Sequence, residues 1–201
     1  MIPTGPPSIH LPVQAATIIC RAEIKDMEAV CDAVWKLAEA SPMAAHWSYA
    51  AYRAYLAKET EDAAMQAKVL FIARVARAGA RPSPMHEENL NPTVEQIVGF
   101  AAFSAIPSIG GGESTLENMA VAEPWQKQGI GGRLLSAGLL WCRAHAAARV
   151  FIEVRESNRA AIALYERAGF LVAGRRLGYY HDPAEDALWM QKILDFVAQR
   201  G

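Results

Sequence analysis

The chain has 201 residues, 52% hydrophobic and 20% charged, which excludes a disordered polyelectrolyte and suffices for one domain with its own core. Lys and Arg number 20 against 21 Asp and Glu, a formal net charge of −1, so no global field draws the chain to nucleic acid or an anionic membrane. Cys20, Cys31 and Cys142 form no CxxC pair, no apolar run approaches the roughly 20 residues of a membrane span, and Met1 to Pro7 lacks the basic-then-apolar order of a signal peptide; the expectation is a cytoplasmic protein with free thiols.

Residues 1–14 are rich in proline and read as an arm, leaving 15–201 as a single domain. Ala16 to Cys20 is a strand candidate. Asp26 to Glu39 carries Met27, Val30, Val34 and Leu37 at helical spacing, and Trp47 to Lys58 reads as a second helix after the Ser41-Pro42 break. Val69 to Val75 is a strand, and residues 76–93, with Pro82, Pro84 and Pro92 among polar residues, form a long loop. Strands follow at Ile97 to Ile106 and, after the Gly110 to Gly112 turn, at Thr115 to Val121. Gly129 to Ala148 is the longest helix, with Ile130, Leu134, Ala137, Trp141 and Ala144 on one stripe. Val150 to Val154 is a strand, Arg159 to Ala168 a helix stopped by a left-handed cap at Gly169, and Phe170 to Arg175 and Ala187 to Ile193 are strands flanking a loop with Tyr179 and Tyr180. This order predicts a mixed α/β sheet with helices on both faces.

The most informative stretch joins a strand to a helix through Gln126-Lys127-Gln128-Gly129-Ile130-Gly131-Gly132. Unpaired N–H groups and the positive end of the helix dipole converge there, so the turn is an anion site. Gly129 and Gly131 let a ligand approach the backbone without Cβ interference. The spacing fits neither the GxxxxGK[ST] loop of nucleotide triphosphatases nor a dinucleotide-binding GxGxxG after a first strand. Farther on, Asn158, Ala161, Tyr165, Gly169 and Phe170 stand in the order N-x-x-A-x-x-x-Y-x-x-x-G-F.

The Q-x-x-G-x-G turn followed by that second motif resembles the GCN5-related N-acetyltransferases. Glu153 to Tyr165, with Arg175-Arg176-Leu177-Gly178-Tyr179-Tyr180 and Glu185-Asp186-Ala187, is similar to the bacterial ribosomal-protein alanine N-acetyltransferases. His46-Trp47-Ser48 weakly echoes a Pro-Trp-Ser of that group. The resemblance implies acetyl-CoA as cosubstrate, its pyrophosphate on residues 126–132, and its pantetheine paired with the backbone of Met119 and Val121. It places Asn158 near the thioester end, Glu153 as general base and Tyr165 as general acid to the leaving sulfur.

Glu117, two residues before Met119 on the same strand face, is the rival base, and Glu113 is a weaker one. Arg155 and Arg159 read as contacts to the coenzyme's 3′-phosphate or as solvated charges, and Tyr179 and Tyr180 as acceptor-groove walls or packing. His10, His46, His86, His145 and His181 share no ligand spacing, so no metal is expected. The expected acceptor is a protein or peptide α-amine. A small-molecule amine acetyltransferase and a non-catalytic acyl-CoA-binding module are the alternatives. The latter has no use for both Glu153 and Tyr165.

Overall fold

In the computed structural model, which describes residues 17–57, 66–76, 95–108 and 111–194, seven strands form one sheet. They are β1 (Thr17–Arg21), β2 (Ala67–Ala76), β3 (Glu95–Ile106), β4 (Gly112–Val121), β5 (Ala147–Arg155), β6 (Leu171–His181) and β7 (Ala184–Ile193). Their spatial order is β1-β2-β3-β4-β5-β7-β6, and every neighbouring pair is antiparallel except β4 with β5. The four helices are α1 (Met27–Glu39), α2 (Tyr49–Ala57), α3 (Ile130–Ala144) and α4 (Arg159–Arg167). The predicted α/β class and the order of elements hold. The 1–14 arm lies outside the described residues, as does the predicted loop beyond Ala76.

Both faces of the sheet are covered. Val30, Val34 and Leu37 of α1 and Tyr52 and Leu56 of α2 bury against Leu70, Ile72, Phe100 and Ala102. On the opposite face, Ile130, Leu134 and Leu135 of α3 and Ile162 and Tyr165 of α4 pack on Ala101, Phe103, Leu116, Ile152 and Val154. Gly138 permits the closest approach, since a Cβ there would lie 2.0 Å from the Phe103 ring. Any larger residue would push α3 off β3.

Several boundaries differ from the sequence reading. Helix α3 stops at Ala144 rather than Ala148, because Ala146 adopts a left-handed φ of 54° and the chain enters β5 at Ala147. Helix α2 begins at Tyr49, with the Ser48 hydroxyl accepting from the Ala51 N–H. The predicted loop carrying Tyr179 and Tyr180 is instead part of β6, which forms a hairpin with β7. Local propensity at Leu177-Gly178 favours a break, but cross-strand pairing resumes at Tyr180↔Glu185.

Candidate active site

The parallel strands β4 and β5 pair only from Gly112↔Ala147 to Leu116↔Ile152. Both run on, β4 to Val121 and β5 to Arg155, without further pairing to each other. The sheet therefore opens into a wedge whose apex lies at Leu116 and Ile152. Ala122 donates its N–H to the Val98 carbonyl of β3. Since strand groups alternate in direction, the backbone N–H and C=O of Val121 and Met119 point away from β3, into this wedge.

A bulge prepares that arrangement. Ala102 pairs with Asn118 but Phe103 pairs with Leu116, leaving Glu117 as an extra residue in β4. Leu116, Met119 and Val121 consequently pack toward α3 and α4, while Asn118 and Ala120 face α1 and α2. The expectation that Glu117 shares a face with Met119 is thereby corrected. The Glu117 carboxylate accepts from the Ser104 hydroxyl at 2.5 Å, on the α1/α2 side.

Beyond β4, the chain reaches α3 through a turn with left-handed residues at Lys127 (φ 59°) and Gly129 (φ 79°). Gln126 Nε2 donates to the Val121 carbonyl at 2.9 Å and Gln128 Nε2 to the Pro124 carbonyl at 3.1 Å. These side chains thus brace the turn, and its backbone amides are what it offers a ligand. Gly129 caps α3 without a side-chain hydrogen bond, so the first N–H groups of the helix form a concave, positively polarised rim. A Cβ on Gly131 would sit 3.4 Å from Leu164 of α4 and 3.9 Å from Val121 of β4, which shows how closely the three elements converge. An open groove of about 820 Å³ runs from Gly129 and Gly132 past Arg133 and Leu140 to Arg167. It contains neither Glu153 nor Tyr165.

The second motif has a physical reading in α4. Asn158 is the N-cap, its Oδ1 accepting from Ala161 N–H at 3.1 Å. At the other end Gly169 (φ 86°) donates its N–H to Glu166 and Phe170 donates to Tyr165, a Schellman motif that holds the two rings 6.0 Å apart. N-x-x-A and Y-x-x-x-G-F are thus the two caps of one nine-residue helix. They fix Tyr165, which is 6% exposed. Burial, reinforced by nearby Tyr180, pushes its hydroxyl above the ordinary phenol range, so it stays protonated through neutral pH.

Glu153 stands near the end of β5, one residue past the last β4 pairing and on the face opposite Ile152. Its carboxylate meets the Arg176 guanidinium at 2.6 Å and accepts from the Tyr179 hydroxyl. That hydrogen bond, with burial, pushes Tyr179 up to about 12. Both partners come from β6, where Leu177-Gly178-Tyr179 bulge out opposite β7 and Asp186 Oδ1 accepts from Gly178 N–H at 2.8 Å.

Residues 42–170 match the family model described as Acetyltransferase (GNAT) family. The chain belongs to the GNAT family. It is an N-acetyltransferase that uses acetyl-CoA. Over 106 residues it is 42% identical to the [ribosomal protein bS18]-alanine N-acetyltransferase of Escherichia coli K12, covering 52% of this chain and 71% of that protein. It is 35% identical over 96 residues to N-alpha-acetyltransferase RimI of Mycobacterium tuberculosis, covering 48% of this chain and 59% of that protein. The crystal structure of the E. coli ribosomal-protein-S18-alanine N-acetyltransferase superposes with a TM-score of 0.60 at 25% identity, covering 92% of this chain and 99% of that one. The NatC complex bound to Gag peptide and CoA shares the fold, with a TM-score of 0.68 at 19% identity over 89% of this chain and 99% of that one.

Within the GNAT fold, Met119 and Val121 stand on the β4 edge of the wedge and Glu153 on its β5 side, the 126–132 turn continues from β4, and α4, which carries Asn158 and Tyr165, follows β5. Glu113 does not join them. It lies at the start of β4, 4.0 Å from Arg149. Arg155 is neither solvated nor a phosphate contact. It is 9% exposed, donates to the carbonyls of Asp182 and Pro183 and to Glu185, and stacks on Tyr180 at 4.1 Å. It holds the β6–β7 turn. Arg176 and Asn118 are the site-bordering contacts that sequence reasoning missed, while Tyr179, read as a groove wall or packing, donates to Glu153. Asn118, between Glu117 and the apolar Met119 to Val121, was the available signal, because a buried amide requires partners. Among the described residues no cluster of metal-ligating side chains occurs, and no helix is long and apolar enough to cross a membrane.

Proposed function

We propose that this enzyme transfers acetyl from acetyl-CoA directly to the N-terminal α-amine of a protein or peptide, with Glu153 as base and Tyr165 as acid. The observation that carries the proposal is the wedge between β4 and β5, with Glu153 on one side, the uncapped start of α3 at its end and Tyr165 of α4 buried on the sheet face opposite Glu153. Pyrophosphate would lie on the amides of residues 128–132. Pantetheine would lie along Met119 and Val121, where one N–H polarises the thioester carbonyl. The Asn158 amide would meet the same arm. Glu153, directly or through a water, takes the amine proton, the amine attacks the thioester carbon, and Tyr165 protonates the departing thiolate. Tyr179 and Tyr180 would border the acceptor. The setting proposed is the cytoplasm, in keeping with three cysteines that form no disulfide, two of them buried.

The acceptor assignment is supported by the 42% identical relative, whose name gives a ribosomal-protein alanine as its acceptor. Chemistry agrees with it. An α-amine titrates near roughly 7.7–8.0 and is already about a tenth neutral at pH 7, whereas a lysine, near about 10.4, is neutral about once in a few thousand. A single carboxylate asks less of the first. A peptide with free N-terminal Ala or Ser is therefore expected to exceed a polyamine, and the same peptide blocked at its N-terminus with an internal lysine, in kcat/KM. Mass spectrometry would locate the acetyl group. A polyamine ahead by about tenfold, or acetate found only on lysine, would refute the α-amine assignment.

Glu153→Gln is expected to slow turnover most at low pH, where the acceptor is most fully protonated and depends most on a base. If Glu117→Gln reproduces that pattern and Glu153→Gln does not, the base belongs on β4.

A further inference from the structure

Asn118 makes three hydrogen bonds from a side chain 5% exposed. Its Oδ1 accepts from the Ala45 N–H at 3.1 Å, and its Nδ2 donates to the Ala45 carbonyl at 2.8 Å. The third bond runs from Nδ2 to the Tyr52 hydroxyl oxygen, at 2.8 Å. A primary amide that engages both backbone groups of one residue fixes that residue's orientation as well as its position, much as a strand partner does. Here the residue so held is 73 positions away, in the segment joining α1 to α2. Tyr52 extends the grip. Trp47 packs 5.2 Å from its ring and 5.2 Å from that of Tyr55, and Phe100 meets it edge-on from the sheet. The α1–α2 segment is thus tied to β4 at Ala45 and, through Tyr52, at Trp47.

We propose that Asn118 is a positioning residue for the transferase: through Ala45 and Tyr52 it sets the α1–α2 segment as the acceptor-side wall of the wedge. This rests on the placement of the thioester along Met119. Glu153 opens on the face of the sheet that α1 and α2 cover, so the acceptor approaches past this segment, while α3 and α4 occupy the other face. Asn118 and Met119 are consecutive. The side chain of one aligns the acceptor wall and the backbone of the other aligns the acetyl group, separated by one strand step of about 3.3 Å. The Glu117 bulge makes this possible, because in an uninterrupted strand Asn118 would share a face with Leu116. The registration of nucleophile against thioester is therefore built into a single dipeptide. An error of about 1 Å in such registration costs about 100-fold in rate.

The test uses Asn118→Ala, Asn118→Asp and Tyr52→Phe in the full chain. The Asp variant keeps an acceptor for Ala45 N–H but loses both donated bonds. The Phe variant keeps the ring packing and loses only the hydroxyl. The first acceptor probe is a peptide with a free N-terminal Ala, with acetyl-CoA affinity measured by calorimetry. Both Asn118 variants are expected to lose about 10- to 100-fold in kcat/KM for the acceptor, and Tyr52→Phe less, with acetyl-CoA affinity changed by less than about twofold. A role in general packing would weaken both substrates alike. Equal loss of acetyl-CoA affinity, or an unchanged acceptor kcat/KM, overturns the proposal. Should the Asn118 variants fail to fold, Tyr52→Phe decides by the same two measurements. A wild-type enzyme that acetylates a polyamine and not the peptide refutes the α-amine acceptor instead, and the variants then decide the role of Asn118 on that polyamine.

Discussion

Replacing Tyr165 by Phe is expected to lower kcat by about 10²- to 10⁴-fold, the usual contribution of a general acid, with little change in the KM for acetyl-CoA. The ring is buried and held by the C-terminal cap of α4 and by Phe170, and none of those contacts uses the hydroxyl. Phe therefore preserves the packing and removes the proton donor. The donor itself is well suited to its task. Burial in the company of Tyr180 keeps it protonated, so the wild-type enzyme should not lose its acid on the alkaline side below the ordinary tyrosine range, about pH 10. Steady-state kinetics with a rapid-quench burst measurement separates chemistry from product release. A Phe variant with wild-type single-turnover rates would return Tyr165 to a packing role.

Gly129→Glu is expected to abolish measurable coenzyme binding while the thermal transition stays cooperative. A Cβ at this position meets nothing within 4 Å, so the first side-chain atom collides with no protein atom. It does place a side chain on a residue with φ 79°, which costs about 1–2 kcal/mol for a non-glycine residue. It also puts a carboxylate where pyrophosphate would lie. At about 4 Å and an effective dielectric near 20, each like-charge pair costs about 4 kcal/mol, roughly a thousandfold in affinity. Gly129→Ala separates the two effects, because it carries the backbone cost without the charge. Calorimetric titration of both variants should give a modest loss for Ala and a collapse for Glu. Equal affinities in folded Glu and wild-type proteins would move the pyrophosphate elsewhere.

Those residues are legible in the sequence, and the reason is local. A glycine turn ahead of an amphipathic helix, and a helix bounded by Asn158 and Gly169, are encoded within a dozen residues by capping and left-handed geometry. What escaped was set by partners far along the chain. The face of Glu117 followed from an uninterrupted strand, yet the bulge depends on how β4 pairs with β3. Arg155 looked like a solvated cation because its acceptors, the carbonyls of Asp182 and Pro183, are 27 and 28 residues away. Tyr179 and Tyr180 seemed to lie in a loop because Gly178 marks a break. Only the cross-strand register shows a bulge within a continuous hairpin.

An unpaired strand edge is ordinarily an invitation to other strands, and proteins shield such edges with charge, proline or a covering helix. The β4–β5 wedge leaves two edges open in the middle of a sheet, and its shape is the shield. The gap narrows to nothing at Leu116 and Ile152, so an intruding polypeptide could not run through it, and side chains at every second position would jam against both walls. A slender amide chain bare of side chains near its reactive end meets neither obstacle. The opening thus sorts visitors by thickness: it is too narrow at its apex for another strand, and on the proposed reading it admits a thin thioester arm.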